Sequence, residues 1–531
     1  MKLLLDPRRN WRSSRTGDTQ IHAAGDHEPV AAVAQAMLTG GLDAARDALE
    51  SAVGHFAAVL QGPFGTLAFV DHCRSIPLFH DGASAVSNDA RLLLGYMPTP
   101  AVDLVSVLEA AMAGYVSGPF TLYHGLHQLQ SGELLRAHEK GGRPLCQRYF
   151  LYQPRALRPE SAAELAAELG GIVDRVMTRV IEAAAGAPVW VPLSGGLDSR
   201  LVLCKLAELG CPNLRSFSYG PAGNDEAGAA SEVARCLGVP WRFVPSRRRA
   251  TKQFFKSADR RAYWEFADGL CSVPNPQDIV ALRELMADGT VHPGDVVVNG
   301  QTGDFISGGH IPARLVDHDE GIGGLLAAVV DKHYSLWGEL KTPENLAAIH
   351  RRILADLDLN GGEDLSRQQA AALYERWEYQ ERQAKFIVNG ERIYDFLGLS
   401  WRLPLWDQEF VRFWRDIPAP VKAGKAVYRT YLSSYDYRGL FKSFAPAVWH
   451  WPGSLKAILP LARVVRLARG EAARDRFLKA FLYFGMYRHH YAPYRYRDFL
   501  NNLDNVRNPI SFLTATWLRE DGLKQPGLPA L

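Results

Sequence analysis

A short apolar segment that runs into two glycines constrains the fold of this chain more than any other feature. Residues 187–192 are mostly apolar and contain a proline near each end, which predicts a short buried strand. Residues 201–210 are apolar-rich and end at a glycine, as is typical of a helix. Between them lies a turn that contains Ser194, Gly195 and Gly196. A strand, a glycine-rich turn and a helix N-terminus predict an anion-binding loop, because free backbone N–H groups and the helix dipole point at the bound group.

Asp198 is the unexpected residue of this turn. A carboxylate repels a phosphate group unless a cation lies between them, so we expect Asp198 to be a Mg²⁺ ligand that bridges to phosphate oxygens. The hydroxyl groups of Ser194 and Ser199 add hydrogen-bond donors beside it. A bare pair of glycines before a helix most often marks an ordinary connection, but Ser-Gly-Gly-Leu-Asp-Ser between a strand and a helix is far more specific.

The residues after this loop predict a parallel sheet. Apolar strands are predicted at 214–220, 241–244 and 295–299, with a helix at 226–237. Strands that alternate with helices favour a doubly wound α/β fold. In such folds ligands bind at the carboxyl ends of the strands, near the point where the strand order reverses.

A second glycine-rich loop, residues 300–309, follows the last of these strands and carries Asp304. Since the carboxyl ends of parallel strands meet at one edge of the sheet, we expect Asp304 to lie near Asp198 as a second metal-binding acid. A turn-forming aspartate is the alternative interpretation. Two acids on two glycine-rich loops of one sheet favour the metal-binding interpretation.

Length and composition limit the class of protein. A chain of 531 residues predicts two or three domains, and 47% apolar with 22% charged residues is typical of a globular protein. The formal net charge of +3 gives no reason to expect a nucleic-acid partner. Six cysteines without zinc-type spacing predict reduced thiols in a cytoplasmic protein. Neither a signal peptide nor a transmembrane segment is predicted, because the apolar runs are too short.

The first loop resembles the pyrophosphate-binding loop of enzymes that cleave ATP between its α- and β-phosphates. Together with the second loop and the Trp-Arg-Leu-Pro-Leu-Trp-Asp segment at 401–407, it resembles asparagine synthetases, β-lactam synthetases and lasso-peptide cyclases over about residues 160–432. This resemblance implies a doubly wound ATP-pyrophosphatase domain of the adenine-nucleotide alpha hydrolase type. The residues implied to bind ATP are Leu193, Ser194, Gly195, Gly196, Leu197, Ser199, Tyr219, Asn299 and Gly300.

The same resemblance implies roles for charged residues. Asp198 and Asp304 would bind the metal and pyrophosphate, with Mg²⁺ and ATP as the cofactors. Lys425, preferred to Lys422, would stabilise the negative charge that builds on the α-phosphate when a carboxylate attacks it. Gln301 stands where the family usually has a glutamate that helps to orient a base. Which group deprotonates the amine is therefore left open.

Residues 1–152 are β-rich, with an early helix predicted at 30–38. The stretches GHFAAVLQ, VDHCRSIPLFH and QSGELLR resemble the N-terminal glutaminase half of asparagine synthetases, which implies an Ntn-hydrolase-like αββα domain. Active members need a cysteine directly after the initiator methionine, and here that residue is Lys2. The resemblance thus implies a degenerate domain without glutaminase activity. Cys73 is predicted to lie mid-strand as a small buried hydrophobe.

Predicted domain boundaries place a synthetase domain at 160–452 and a helical extension at 453–531, and a capped helix is predicted at 161–185. The charge pattern of a long helix at 366–391 predicts a solvated face without a chemical role. A basic amphipathic helix at 454–469 is predicted to dock on its own protein, with a membrane surface as the alternative. Residues 483–497, rich in Tyr, Arg and His, are predicted to frame the acceptor pocket and not to bind metal.

These features lead to three functional hypotheses. The leading one is an ATP-dependent amide ligase that releases AMP and pyrophosphate, joining a small-molecule or peptide carboxylate to ammonia or an amine. The second is a genuine asparagine synthetase supplied with free ammonia or by a partner glutaminase. The third is an inactive relative retained for binding or as a scaffold. A homodimer is compatible with each hypothesis.

Overall fold

A computed structural model describes residues 1–138, 142–155, 158, 160–442, 458–483 and 494–526. It shows a mixed α/β protein that contains one parallel sheet and two further sheets in the N-terminal region. Apolar side chains from both parts of the described chain form one continuous buried cluster. The division of the chain near residue 152 stays a prediction.

Five parallel strands form the sheet of the larger part, in the order β13-β12-β11-β14-β15. Their order reverses at β11, so the switch point lies between β11 and β14, the strands that carry the two glycine-rich loops. The predicted parallel sheet is confirmed. The strands are β11 Val189–Pro192, β12 Leu214–Gly220, β13 Trp241–Pro245, β14 Val296–Val298 and β15 Ser400–Arg402.

Helices connect and surround these strands. They are α4 Ala162–Ala184, α5 Leu197–Glu208, α6 Asp225–Leu237, α7 Arg248–Phe255, α8 Ala258–Ala267, α9 Ile279–Ala287, α10 Arg314–Asp317, α11 Gly321–His333, α12 Pro343–Asp356, α13 Arg367–Glu378, α14 Arg392–Leu397, α15 Gln408–Arg415, α16 Ala419–Lys422 and α17 Ala426–Tyr435. Short π-helical segments cover Phe305–Gly309 and Tyr379–Ile387, and 3₁₀ turns cover Val388–Glu391 and Ala423–Lys425. α4 begins with the predicted capping box of Ser161 and Glu164.

The N-terminal region contains two sheets and three helices. The helices are α1 His27–Ser51, α2 Ala90–Tyr96 and α3 Leu104–Ala113. One sheet has six antiparallel strands, ordered β10-β9-β5-β4-β3-β2, and the other has four, ordered β1-β7-β6-β8. The strands are β1 Lys2–Leu4, β2 Arg12–Thr16, β3 Thr19–Gly25, β4 Phe56–Gly62, β5 Gly65–Val70, β6 Phe79–His80, β7 Ala85–Ser87, β8 His127–Gln128, β9 Glu133–Ala137 and β10 Leu145–Arg148. The predicted helix at 30–38 is much longer in the structure because it continues through a kink at Gly41.

Cys73 lies in the turn after β5 and not in a strand, so that part of its prediction is wrong; its burial is confirmed. Its Sγ lies 3.3 Å from Asp71 Oδ1. The Asp71 carboxylate accepts hydrogen bonds from the backbone N–H groups of Phe56, Cys73 and Ser75, which ties the turn together. Burial and the nearby Asp71 carboxylate raise the pKa of the thiol well above its usual value, which keeps it protonated.

The charged helix at 366–391 is largely buried from Ala370 onward, so the prediction of a solvated face is wrong. Glu375, Glu378, Glu381 and Lys385 are at most 1% exposed along α13 and the following π-helical segment. Glu381 accepts a hydrogen bond of 2.9 Å from the N–H of Gly118 in the N-terminal region. Charges spaced three or four residues apart produce the same sequence pattern on a wet face as in a buried ion-pair network. The sequence therefore did not distinguish the two.

The C-terminal helices cover Ile458–Arg469, Glu471–Leu482, Tyr496–Asn501 and Pro509–Glu520. The helix Pro509–Glu520 packs on α3, its Glu520 accepts a 2.7 Å hydrogen bond from Arg260 of α8, and its Trp517 donates a 3.0 Å hydrogen bond to Asp268. The basic helix Ile458–Arg469 contacts the helix Glu471–Leu482, but Leu461, Val464 and Leu467 remain more than half exposed. The predicted docking on its own protein therefore covers only part of its apolar surface. The predicted acceptor-pocket segment at 483–497 lies mostly outside the described residues. Within the described ranges no helix combines the length and apolarity that a bilayer crossing requires.

Replacing Lys385 tests the buried charge network. Lys385→Met leaves Glu381 buried without its ammonium partner, and breaking such a pair costs about 3–5 kcal/mol of folding free energy. We expect a clearly lower midpoint of thermal unfolding. In the double variant Lys385→Met/Glu381→Gln the uncompensated charge is gone, and part of the loss should be recovered. Equal midpoints for wild type and Lys385→Met would contradict a structural role for the pair.

Candidate active site

The serine hydroxyls of the loop after β11 accept hydrogen bonds from its own backbone. The backbone N–H of Ser194 donates to the Ser199 hydroxyl at 3.1 Å, and the N–H of Gly196 donates to the Ser194 hydroxyl at 3.2 Å. α5 begins at Leu197, four residues before its predicted start, and Gly196 at its N-cap supplies no side-chain cap. The first turn of the helix therefore carries Asp198, and its N-terminal N–H groups face the loop.

Two glycines let the second loop lie directly against the first. A Cβ atom at Gly300 would lie 2.7 Å from the backbone nitrogen of Ser199. A Cβ atom at Gly303 would lie 2.4 Å from the carboxylate carbon of Asp198. Neither position has room for a side chain, so the contact between the two loops depends on these glycines.

A cavity of about 450 Å³ opens where the two loops meet at the carboxyl ends of β11, β12 and β14. This is the switch point of the sheet, where ligands bind in folds of this kind. Eight of the nine predicted ATP-binding residues line it, namely Leu193, Ser194, Gly196, Leu197, Ser199, Tyr219, Asn299 and Gly300, together with Asp198. Gly195, the ninth residue, does not line the cavity. Its carbonyl accepts a 2.8 Å hydrogen bond from Arg200. The structure brings these residues together, and their contacts with ATP stay a prediction.

Asp198 is a partly buried carboxyl with several polar neighbours. The Tyr428 hydroxyl donates a 2.9 Å hydrogen bond to its Oδ1. Burial raises the pKa of Asp198 to about 6, although Tyr428 and the Lys425 charge lower it. The neighbouring Asp304 carboxylate adds to the rise, since two like charges lie close together. Sequence analysis missed Tyr428, which stands three residues after Lys425, about one helical turn away.

Asp304 has cationic partners on two sides. Lys425 Nζ contacts its Oδ1, and His310 Nε2 lies 3.3 Å from its Oδ2. The hydrogen bond from His310 and the contact with Lys425 lower the pKa of Asp304 below its usual range. Asp304 is thus ionised at neutral pH. The two acids predicted to bind Mg²⁺ lie together, with Lys425 beside them.

Lys422 and Lys425 are close in sequence but have different surroundings, and only Lys425 contacts Asp304. Lys422 is fully buried. It forms an ion pair with Glu375 at 2.9 Å and donates a 3.0 Å hydrogen bond to the Trp414 carbonyl, so its role is structural. Lys425 is a left-handed residue, with φ of 66°, between α16 and α17, and its side chain reaches the second loop. Left-handed backbone at a non-glycine residue is uncommon and clusters at functional sites.

His310 and Glu378 form a layer behind Asp304 that sequence analysis missed. His310 Nδ1 lies 2.5 Å from Glu378 Oε1. Burial favours neutral His310, but the hydrogen bonds to Asp304 and Glu378 outweigh it and raise the pKa of the imidazole. Glu378 also contacts Lys332 at 3.3 Å and His333 at 3.5 Å. Sequence analysis missed the contact between Glu378 and His310 because Glu378 lies on the charged helix, which was predicted to be solvated.

The donor set at the two acids fits Mg²⁺. Both acids offer carboxylate oxygens, the ligands that this ion prefers, and they come from facing loops beside a cavity large enough for a nucleotide. Tyr428 and His310 hold the two carboxylates in place.

The parallel sheet, the paired glycine loops and the two acids at the switch point define an α/β protein with a candidate nucleotide-phosphate site. A family model described as asparagine synthase matches residues 175–443, which is about half of the chain and includes both loops and Lys425. The chain therefore belongs to the asparagine synthase family. A search of curated proteins finds no match to it.

Gly303→Ala tests the close contact of the two loops. The added methyl group would press on the Asp198 carboxylate, so we expect at least a tenfold loss of Mg-ATP affinity, measured by titration calorimetry. Gly323→Ala is the matched control, since a Cβ atom there has no neighbour within 4 Å and alanine favours the helix. Unchanged affinity in Gly303→Ala would show that nucleotide binding does not depend on this contact.

Proposed function

We propose that this protein is an ATP-dependent amide ligase of the asparagine synthetase type that releases AMP and pyrophosphate. The observation that carries the proposal is the meeting of Asp198, Asp304 and Lys425 beside a cavity at the switch point of the sheet. Family membership supports the same reaction class, because ATP is a substrate of asparagine synthases.

In the proposed first step, a substrate carboxylate attacks the α-phosphate of ATP and pyrophosphate leaves. The backbone N–H groups in the first turn of α5, which no side chain caps, bind phosphate oxygens. Asp198 and Asp304 would hold Mg²⁺, which when bound neutralises charge on the phosphates. Lys425 stabilises the charge that develops on the α-phosphate, since its ammonium is already positioned beside the second loop.

In the proposed second step, ammonia or an amine captures the acyl-adenylate, forms the amide and releases AMP. The nitrogen source is free ammonia, ammonia supplied by a partner glutaminase, or a substrate amine. His310 and Glu378 keep Asp304 oriented during both steps, because they fix the carboxylate from behind.

A panel of carboxylic acids tests the proposal through ATP-dependent pyrophosphate release, with ammonium chloride as the nitrogen source. Release that depends on one class of carboxylate supports the ligase. Selective response to aspartate identifies a genuine asparagine synthetase. Absence of Mg-ATP binding in calorimetry would instead support the inactive relative and overturn the proposal.

Lys425→Met tests the role of the ammonium. Losing one positioned donor to a developing oxyanion typically slows a reaction by about 100- to 1000-fold, and we expect a loss of that size in pyrophosphate release. Lys442→Met, at a largely exposed lysine paired with Asp436, is the control and should keep the wild-type rate. A Lys425→Met rate within threefold of wild type would remove Lys425 from the proposed mechanism.

We further propose that the N-terminal region is a degenerate glutaminase-like domain of the Ntn-hydrolase type. Its helices and two sheets support this assignment, and Lys2 occupies the position of the nucleophile. Cys73 is not a substitute, because burial keeps its thiol protonated and away from solvent.

The protein should therefore release no glutamate from glutamine. Incubation with glutamine, with and without ATP and the active carboxylate, is followed by an enzymatic glutamate assay. Ammonium chloride should support amide formation in the same preparation. Glutamate above the buffer blank would show that another nucleophile serves this domain.

A further inference from the structure

One wall of the cavity carries acceptors and no cation. Among the described residues that line the cavity, none is Lys, Arg or His. This wall lies away from the loop after β11 and contains Gln277, Asp278 and Gln301. Carboxylate and amide oxygens without a neighbouring cation suit a ligand that donates hydrogen bonds, and they repel a carboxylate.

Asp278 is the buried carboxyl of this wall. It lies just before α9, is 3% exposed, and its Oδ2 accepts a 2.7 Å hydrogen bond from the Tyr394 hydroxyl. The same hydroxyl lies 3.2 Å from Nδ2 of Asn299, at the start of the second loop. Asp278 is therefore fixed relative to that loop. Burial raises the pKa of Asp278 and the Tyr394 hydrogen bond lowers it, so the carboxylate is a stronger proton acceptor than one in water.

Gln301 supplies the second observation. Its Oε1 is buried without a hydrogen-bond partner, and its Nε2 lies 3.5 Å from Oε1 of Gln277. An unpartnered buried acceptor costs free energy unless a ligand supplies a donor. Gln301 carries no charge, so it cannot take up a proton itself.

The other carboxylates at the cavity do not fit the role of a proton acceptor for an amine. Asp198 lies in the first turn of α5, beside Tyr428 and Asp304, and is one of the two predicted metal ligands. Glu226 is exposed at the start of α6. Asp278 alone among the described lining carboxylates is both buried and separate from the predicted metal site.

We propose that Asp278 is the general base for the amine, with Gln277 and Gln301 as the acceptors that orient the amine nitrogen. The inference rests on the proposed ligase function and deepens it. A primary ammonium donates one proton to Asp278 and becomes a free amine. Its lone pair then forms the C–N bond to the acyl carbon as the bond from that carbon to the AMP oxygen breaks. AMP leaves with the electron pair, and its phosphate accepts the second proton lost from nitrogen.

Asp278→Asn separates this step from carboxylate activation. Asp288→Asn is the matched control, because Asp278 and Asp288 flank the two ends of α9 and Asp288 is exposed. Two reactions are measured with the carboxylate that gives the fastest pyrophosphate release. One is carboxylate-dependent ATP–pyrophosphate exchange, and the other is amide formation from ammonium chloride near neutral pH.

Asp278→Asn should keep the exchange rate and the KM for ATP within about twofold of wild type. Its rate of amide formation from ammonium should fall on the order of 100-fold, the usual contribution of a general base. Hydroxylamine is largely unprotonated at neutral pH and needs no base, so it should restore capture, measured as hydroxamate, to near the wild-type rate. Asp288→Asn should behave as wild type in all three assays.

Three outcomes would overturn the inference. A raised KM for ATP with intact capture would show that Asp278 binds the nucleotide. An unchanged ammonium rate would exclude a base role, and failure of hydroxylamine to restore capture would indicate a structural defect. If wild-type protein shows no exchange with any carboxylate, the proposed ligase function fails first and this inference fails with it.

Discussion

The direct contact between the two glycine-rich loops is the constraint on which the site depends. Without side chains at Gly300 and Gly303, the second loop reaches the backbone of Ser199 and the carboxylate of Asp198. Strand order makes this contact possible, because β11 and β14 are neighbours although more than 100 residues separate them in the chain. Two acids that would repel each other in isolation are held together by Tyr428, Lys425 and His310.

Local patterns were sufficient for much of the fold and for the centre of the site. Four of the five strands of the parallel sheet follow from apolar runs, and the capping box of α4 follows from a Ser–Glu spacing; the short strand Ser400–Arg402 was not predicted. The proximity of Asp198 and Asp304 could be predicted because each follows a strand and a glycine-rich turn. In a parallel sheet, that placement alone brings such residues to one edge.

The parts of the fold and of the candidate site that sequence analysis missed depend on tertiary contacts, which leave no local sequence pattern. Glu378 and Glu381 have the spacing of a solvated helix face, yet Glu378 is in contact with His310 and Glu381 with Gly118 of the N-terminal region. Asp278 comes close to Asn299 only through the Tyr394 hydroxyl, which belongs to a helix about 100 residues further along the chain. No periodicity or spacing in the sequence reports contacts of this kind.

The contact between the charged helix and the N-terminal region bears on how this architecture can be divided. The backbone carbonyl of Gly118 accepts a hydrogen bond of 2.5 Å from Lys385, and the backbone N–H of Gly118 donates to Glu381. The N-terminal region thus solvates two charges of the part that contains the parallel sheet. Deleting it would leave an ammonium and a carboxylate at an interface built for a neighbour's peptide groups. The N-terminal region is then needed to solvate these two charges, whatever its own chemistry.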